Sequence, residues 1–143
     1  MTGIRTVLLV DDNSQDVHLM RHAFEKAGFA DMLRAVPSVE QAIAYMDGSA
    51  TGPDGERHPP PNLILIDISL QGTPGFRLLE WLRSAPAHKH LPAVMLTSSV
   101  AYHDIKQALD SGANSYIIKP SSLTETKKMV ATLVAYWNLS STP

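Results

Sequence analysis

Short unbroken apolar runs, separated by stretches of helical period, organise this chain. Residues 7–10 (Val-Leu-Leu-Val), 63–66 (Leu-Ile-Leu-Ile), 93–96 (Ala-Val-Met-Leu) and 115–118 (Ser-Tyr-Ile-Ile) are rich in β-branched or large apolar side chains and lack polar alternation, the pattern of strands buried on both faces. Residues 32–36 read as a further short strand. Between the runs, 14–27 sets Val17, Met20, Phe24 and Ala27 on one helical face, and Gly28 is suited to end that helix. Ser38-Val39-Glu40-Gln41 has the spacing of a capping box before Val39, Ala42, Ile43 and Met46. Pro74 and Gly75 introduce a third helix with Phe76, Leu79 and Leu82 inward, and Pro86 stops it. A fourth runs through about 101–111 to Gly112, and a second capping box at Ser122-Leu123-Thr124-Glu125 opens a last helix to about 138. Strand and helix thus alternate five times, which predicts an α/β domain with a doubly wound parallel sheet.

Residues 48–62 hold three consecutive prolines and three glycines, so they form an exposed loop, too short to separate domains. The 143 residues therefore read as a single domain over 1–143, with 129–143 forming the end of the last helix and a C-terminal tail. Hydrophobic content of 44% and charged content of 18% are ordinary for a folded globular chain and argue against disorder. A formal charge of −2 without a Lys/Arg run supplies no field for nucleic acid. The absence of cysteine, of a membrane-length apolar stretch and of a basic-then-apolar leader makes a cytoplasmic protein with no membrane partner the expectation.

The chemistry sits where the apolar runs stop. Asp11-Asp12 follows the first, Asp67 the run at 63–66, Thr97 the run at 93–96 and Lys119-Pro120 the run at 115–118. Parallel strands bring such ends to one edge of the sheet. Singly, each residue has an ordinary explanation: an Asp in a turn or cap, an acid pair at a helix N-terminus, a solvated lysine. Together they make an acidic phosphoryl-transfer pocket. Asp67 is the candidate nucleophile, since a carboxylate can attack phosphorus once nearby charge is neutralised. Three carboxylates demand a cation, and magnesium suits hard oxygen ligands that bridge carboxylate to phosphate. Lys119 supplies fixed positive charge, and Thr97 a hydroxyl.

With Val-Asp-Asp at 10–12, Ile-Asp-Ile-Ser-Leu at 66–70, Leu-Thr-Ser at 96–98 and Lys-Pro at 119–120, nearly the whole chain resembles a response-regulator receiver domain of bacterial two-component signalling. The resemblance implies a flavodoxin-like sheet in the order 2-1-3-4-5 and a phosphoacceptor protein rather than an enzyme. It also implies magnesium on Asp12, Asp67 and the main-chain carbonyl of Ser69, with Asp11 acting largely through water. Lys119 then sits before a cis Lys-Pro bond, and Tyr116 is the aromatic residue that turns as Thr97 engages. Gln71 departs from the proline common there, implying a less constrained loop, and Ser69 and Ser99 fall where phosphoryl lifetime is tuned.

Six histidines include His18 and His22 one helical turn apart and His88 and His90 flanking Lys89, but no third ligand is suitably spaced for zinc, so they read as surface residues. A haloacid-dehalogenase-like phosphohydrolase is the alternative enzyme. It calls for a second aspartate two positions after the nucleophile, where Ser69 stands. A degenerate receiver acting only as a binding module is opposed by the intact acid pair, nucleophile, Thr97 and Lys119. The expected partner is a sensor histidine kinase, and the long loop and the tail at 135–139 resemble the stand-alone regulators paired with bacterial phytochromes. On the last helix, Met129, Val130, Leu133 and Trp137 can face the sheet. Ala131, Val134, Ala135, Tyr136 and Leu139 are then left over, which predicts a homodimer through this helix.

Overall fold

The apolar runs assemble into a parallel five-stranded sheet, β1 (Val7–Val10), β2 (Leu33–Val36), β3 (Leu63–Asp67), β4 (Ala93–Thr97) and β5 (Ser115–Ile118), in the order β2-β1-β3-β4-β5. The computed structural model describes residues 5–48, 59–98 and 102–140, with side chains at all of these except 102 and 138–140. Helices α1 (Ser14–Lys26), α2 (Val39–Asp47), α3 (Gly75–Ser84), α4 (Tyr102–Asp110) and α5 (Leu123–Ser140) connect and follow the strands. The flavodoxin-like order expected of a receiver is the one observed.

Alternation along the central strands builds two cores. Val7, Leu9, Leu63, Leu65, Val94 and Leu96 point to the α1/α5 side, while Leu8, Val10, Ile64, Ile66, Ala93 and Met95 point to the α2/α3/α4 side, all at 0–1% exposure. Unbroken apolar sequence is what double-sided burial requires. The strand at 115–118 departs from the expectation: β5 is an edge strand, half-buried along most of its length, and Ile118 is 48% exposed. The second strand is also shorter than 32–36, since Met32 closes a 3-10 turn at Ala30–Met32.

Of each predicted capping box the serine half forms. Ser38 accepts from the Gln41 N–H at 3.1 Å and Ser122 from the Glu125 N–H at 3.1 Å. On α3, Leu78 joins Leu79 and Leu82 in the interior, whereas Phe76 only packs against the core from its edge. On α5, Val134 is buried with Val130 and Leu133, so among the described side chains, which do not include Leu139, the outward apolar surface is smaller than the sequence suggests and centres on Tyr136, 58% exposed. His18 and His22 are exposed, but His88 stacks on Trp81 with ring centroids 5.5 Å apart. Pro59–Pro61 lead into β3, and the Pro59 carbonyl accepts from the Tyr45 hydroxyl at 2.7 Å. Ser99 and residues 49–58 lie outside the described residues. No helix among the described residues is long and apolar enough to cross a membrane.

Candidate functional site

Strand register carries the sequence-predicted residues to one edge in a staircase. Val10 pairs with Ile66, so Asp11 and Asp67 emerge side by side from β1 and β3; Asp67 pairs with Leu96, one residue before Thr97; Thr97 pairs with Ile118, one residue before Lys119. Backbone bonds extend the ladder to the site itself: the Asp11 N–H donates to the Val36 carbonyl at 3.0 Å, and the Lys119 N–H to the Thr97 carbonyl at 2.7 Å. Asp67 and Thr97 are thus the last strand residues rather than the first loop residues.

Two carboxylates are held in the same manner. Oδ1 of Asp11 accepts from the Asn13 N–H and Oδ1 of Asp67 from the Ser69 N–H, each at 2.9 Å. This local turn fixes each side chain and turns Oδ2 to the Nζ of Lys119, 3.1 Å away in both cases. Asp11, Asp67 and Thr97 are 3%, 4% and 2% exposed, so the charges sit at the base of the pocket, while Asp12 lies exposed at its mouth. Oδ2 of Asp12 accepts from the Gln71 N–H at 2.7 Å. The loop after Asp67 is therefore pinned, and pinned again by the Thr73 hydroxyl donating to Glu40, where a less constrained loop was expected. A proline at 71 would have no N–H to give.

Lys119 reaches the pocket across a trans Lys119–Pro120 bond; the described residues contain no cis peptide bond. Its flexible four-carbon stem spans the distance without one. Burial pulls the Lys119 ammonium towards neutrality, but the bond to Asp16 and the charges of Asp67 and Asp11 more than offset it and hold its pKa above the ordinary 10.5. Burial is also the largest influence on Asp11 and pushes its carboxyl above 3.8, against the Asn13 N–H and Lys119, which pull it down. Tyr116 lies half-buried on β5, packed against the α2/α3/α4 core.

Sequence reasoning missed two residues here. Asp16, in the first turn of α1, approaches Lys119 Nζ at 2.6 Å, the shortest of its three ion pairs. Its place one turn into the helix that follows the acid pair was the available signal. Gly75 was read as a helix start, yet a Cβ there would lie 2.8 Å from the Asp67 carbonyl oxygen and 2.9 Å from Ile66 Cγ2. Only glycine lets α3 seat this closely against the end of β3.

Carboxylate oxygens of Asp11, Asp12 and Asp67 lie within 4.8 Å of one another. Three hard anionic donors, one at a hydrated mouth, fit a divalent cation that keeps part of its water. A family model described as the response regulator receiver domain matches residues 7–131. The chain belongs to that family. A receiver is a phosphoacceptor signalling module rather than an enzyme, so the phosphohydrolase alternative is set aside.

This receiver is similar to the probable methanogenesis regulatory protein FilR2 of Methanothrix harundinacea, 29% identical over 131 residues, 92% of this chain and 82% of that one. It is 27% identical over 133 residues to the response regulator Rcp1 of Synechocystis sp., covering 93% of this chain and 88% of Rcp1. The Mn(2+)-bound crystal structure of Rcp1 superposes with a TM-score of 0.78, covering 96% and 97% of the two chains. The phosphorylated cyanobacterial phytochrome response regulator RcpA, 28% identical, superposes with a TM-score of 0.82 over 96% of each chain.

Proposed function

We propose that this receiver accepts a phosphoryl group from the phosphohistidine of a sensor histidine kinase onto Asp67. The supporting observation is the pairing of a buried strand-end carboxylate, fixed through Oδ1, with a lysine held at its Oδ2. An Asp67 oxygen forms the new P–O bond as the P–N bond to the kinase imidazole breaks, and the imidazole keeps the electron pair. Lys119 balances phosphoryl charge, and Thr97, at the end of β4, supplies the hydroxyl whose engagement is relayed to Tyr116 on β5. Magnesium is the proposed cofactor, held by Asp11, Asp12, Asp67 and the Ser69 carbonyl, and when bound it supplies the charge that offsets carboxylates and phosphoryl oxygens.

A bacteriophytochrome is the proposed kinase, supported by the likeness to RcpA and Rcp1. A second copy of this chain is the proposed partner of α5. Supporting it are exposed Tyr136, edge-on to half-buried Trp137 at 4.8 Å, and a cavity of about 390 Å³ between β5 and α5 lined by Ile117, Thr132, Leu133 and both aromatics. Phosphotransfer profiling against the histidine kinases of the source organism tests the kinase assignment: rapid transfer from a phytochrome kinase is expected, and preference for an unrelated kinase would overturn it.

A further inference from the structure

Lys119 has three N–H donors, and Asp11, Asp16 and Asp67 take all of them, at 3.1, 2.6 and 3.1 Å. Two of these acceptors belong to the acid cluster. The third does not: Asp16 stands outside it on α1, its side chain 42% exposed, with its own N–H held by the Asn13 cap at 3.0 Å. A phosphoryl group on Asp67 needs the Lys119 charge, and the ammonium has no unspent donor to offer it.

We infer that Asp16 is a positioning residue that draws the Lys119 ammonium to the rim of the pocket and competes with the phosphoryl group for it, setting how readily Asp67 is phosphorylated. Geometry carries this. Asp11 and Asp67 are fixed through Oδ1 by backbone N–H groups, so their Oδ2 atoms hold Lys119 at the base of the pocket. Asp16 makes the shortest pair from the most solvated position, so it pulls outward. It also adds a fourth carboxylate against one ammonium, which opposes the approach of any anionic donor. Removing it frees one donor and lowers that repulsion.

The inference rests on the reading of Asp67 as phosphoacceptor, so the experiment separates the two. Acetyl phosphate with magnesium is the probe, and label on the full chain is followed to completion by intact mass. Asp16→Asn, which keeps the shape, is expected to label about three- to tenfold faster than wild type, the effect of one screened unit charge near 4 Å. Asp16→Glu, which can still reach Nζ, should stay near wild type. The acceleration should shrink in a Lys119→Gln background, where only the direct repulsion between Asp16 and the anionic donor is left to relieve. Wild-type labelling at Asp67 with Asp16→Asn no faster, or with the acceleration intact in Lys119→Gln, overturns the inference alone. Label that persists in Asp67→Asn overturns the phosphoacceptor reading instead.

Discussion

The backbone N–H of Gln71 donates to Oδ2 of Asp12 at 2.7 Å, joining residues 59 positions apart. One oxygen of the mouth carboxylate is thereby fixed by the loop that follows Asp67. Gln71→Ala keeps the N–H and should leave the melting temperature unchanged. Gln71→Pro removes it and should lower the melting temperature by about 2–4 °C, the equivalent of roughly 1 kcal/mol. Differential scanning calorimetry in an Asp12→Ala background checks the assignment, since the gap between the two variants should close there. Equal melting of Ala and Pro variants in the wild-type background would contradict it.

Asp12 has no ion pair to Lys119 among the described residues, so its charge, relieved locally by the Gln71 N–H, stands against those of Asp11 and Asp67. Asp12→Asn retains an acceptor for Gln71 and removes that charge. In chelator it should melt about 2–4 °C higher than wild type, a gain of about 1 kcal/mol for an exposed carboxylate. Adding magnesium should raise wild type and leave the variant little changed. A variant that still gains several degrees from magnesium would take Asp12 out of the proposed cation site.

Lys119 makes stability depend on alkaline pH. Its folded pKa lies above the ordinary 10.5, so its pairing is fully stabilising below about pH 10.5 and is lost as pH rises through the folded value. Asp11, raised above 3.8 chiefly by burial, contributes in the acid range only: its favourable share is present below about pH 3.8 and lost as pH climbs through its folded value. Lys119→Met should cost roughly 2–3 kcal/mol at neutral pH, less than a fully buried pair because Asp16 is 42% exposed. Urea titrations should show that gap constant from about pH 7 to pH 10 and narrowing only above. Narrowing near neutrality would mean that the ammonium is not held by these carboxylates.

Residues buried on both faces were legible because burial leaves no polar alternation. Leu8, Leu9, Ile64, Leu65, Val94 and Met95 announce β1, β3 and β4 directly, and the residues that end those runs announce the site. The run at 115–118 looks the same locally, but its exposure follows from lying at the sheet edge, and strand order is not written in four residues. Val134 was misplaced for a related reason: α5 buries a broader face because it packs against α1 as well as the sheet. Asp16 stands visibly one turn after the acid pair, but its lysine partner lies 103 positions away and is brought to it only by the fold. Gly75 carries no chemistry in sequence, and its need appears only when the Asp67 carbonyl is placed beside it.

Tyr136 offers the direct test of self-association through α5. Multi-angle light scattering at tens of micromolar should give a dimer mass for the full chain, and Tyr136→Ala should shift it to monomer, since an aromatic anchor contributes about 2 kcal/mol or more, roughly thirtyfold in Kd. A full-length chain that remains monomeric throughout that range would remove the proposal.

The central claim is that Asp67, in the pocket shared with Asp11, Asp12, Thr97 and Lys119, carries the phosphoryl group. Incubating the protein with a phosphorylated histidine kinase and magnesium, then measuring base-labile phosphate by intact mass and peptide mapping, tests it most directly. One phosphoryl group per chain is expected, on Asp67, absent from Asp67→Asn and lost in chelator. Label of the same stoichiometry in Asp67→Asn, or transfer undiminished without a divalent cation, would contradict the account.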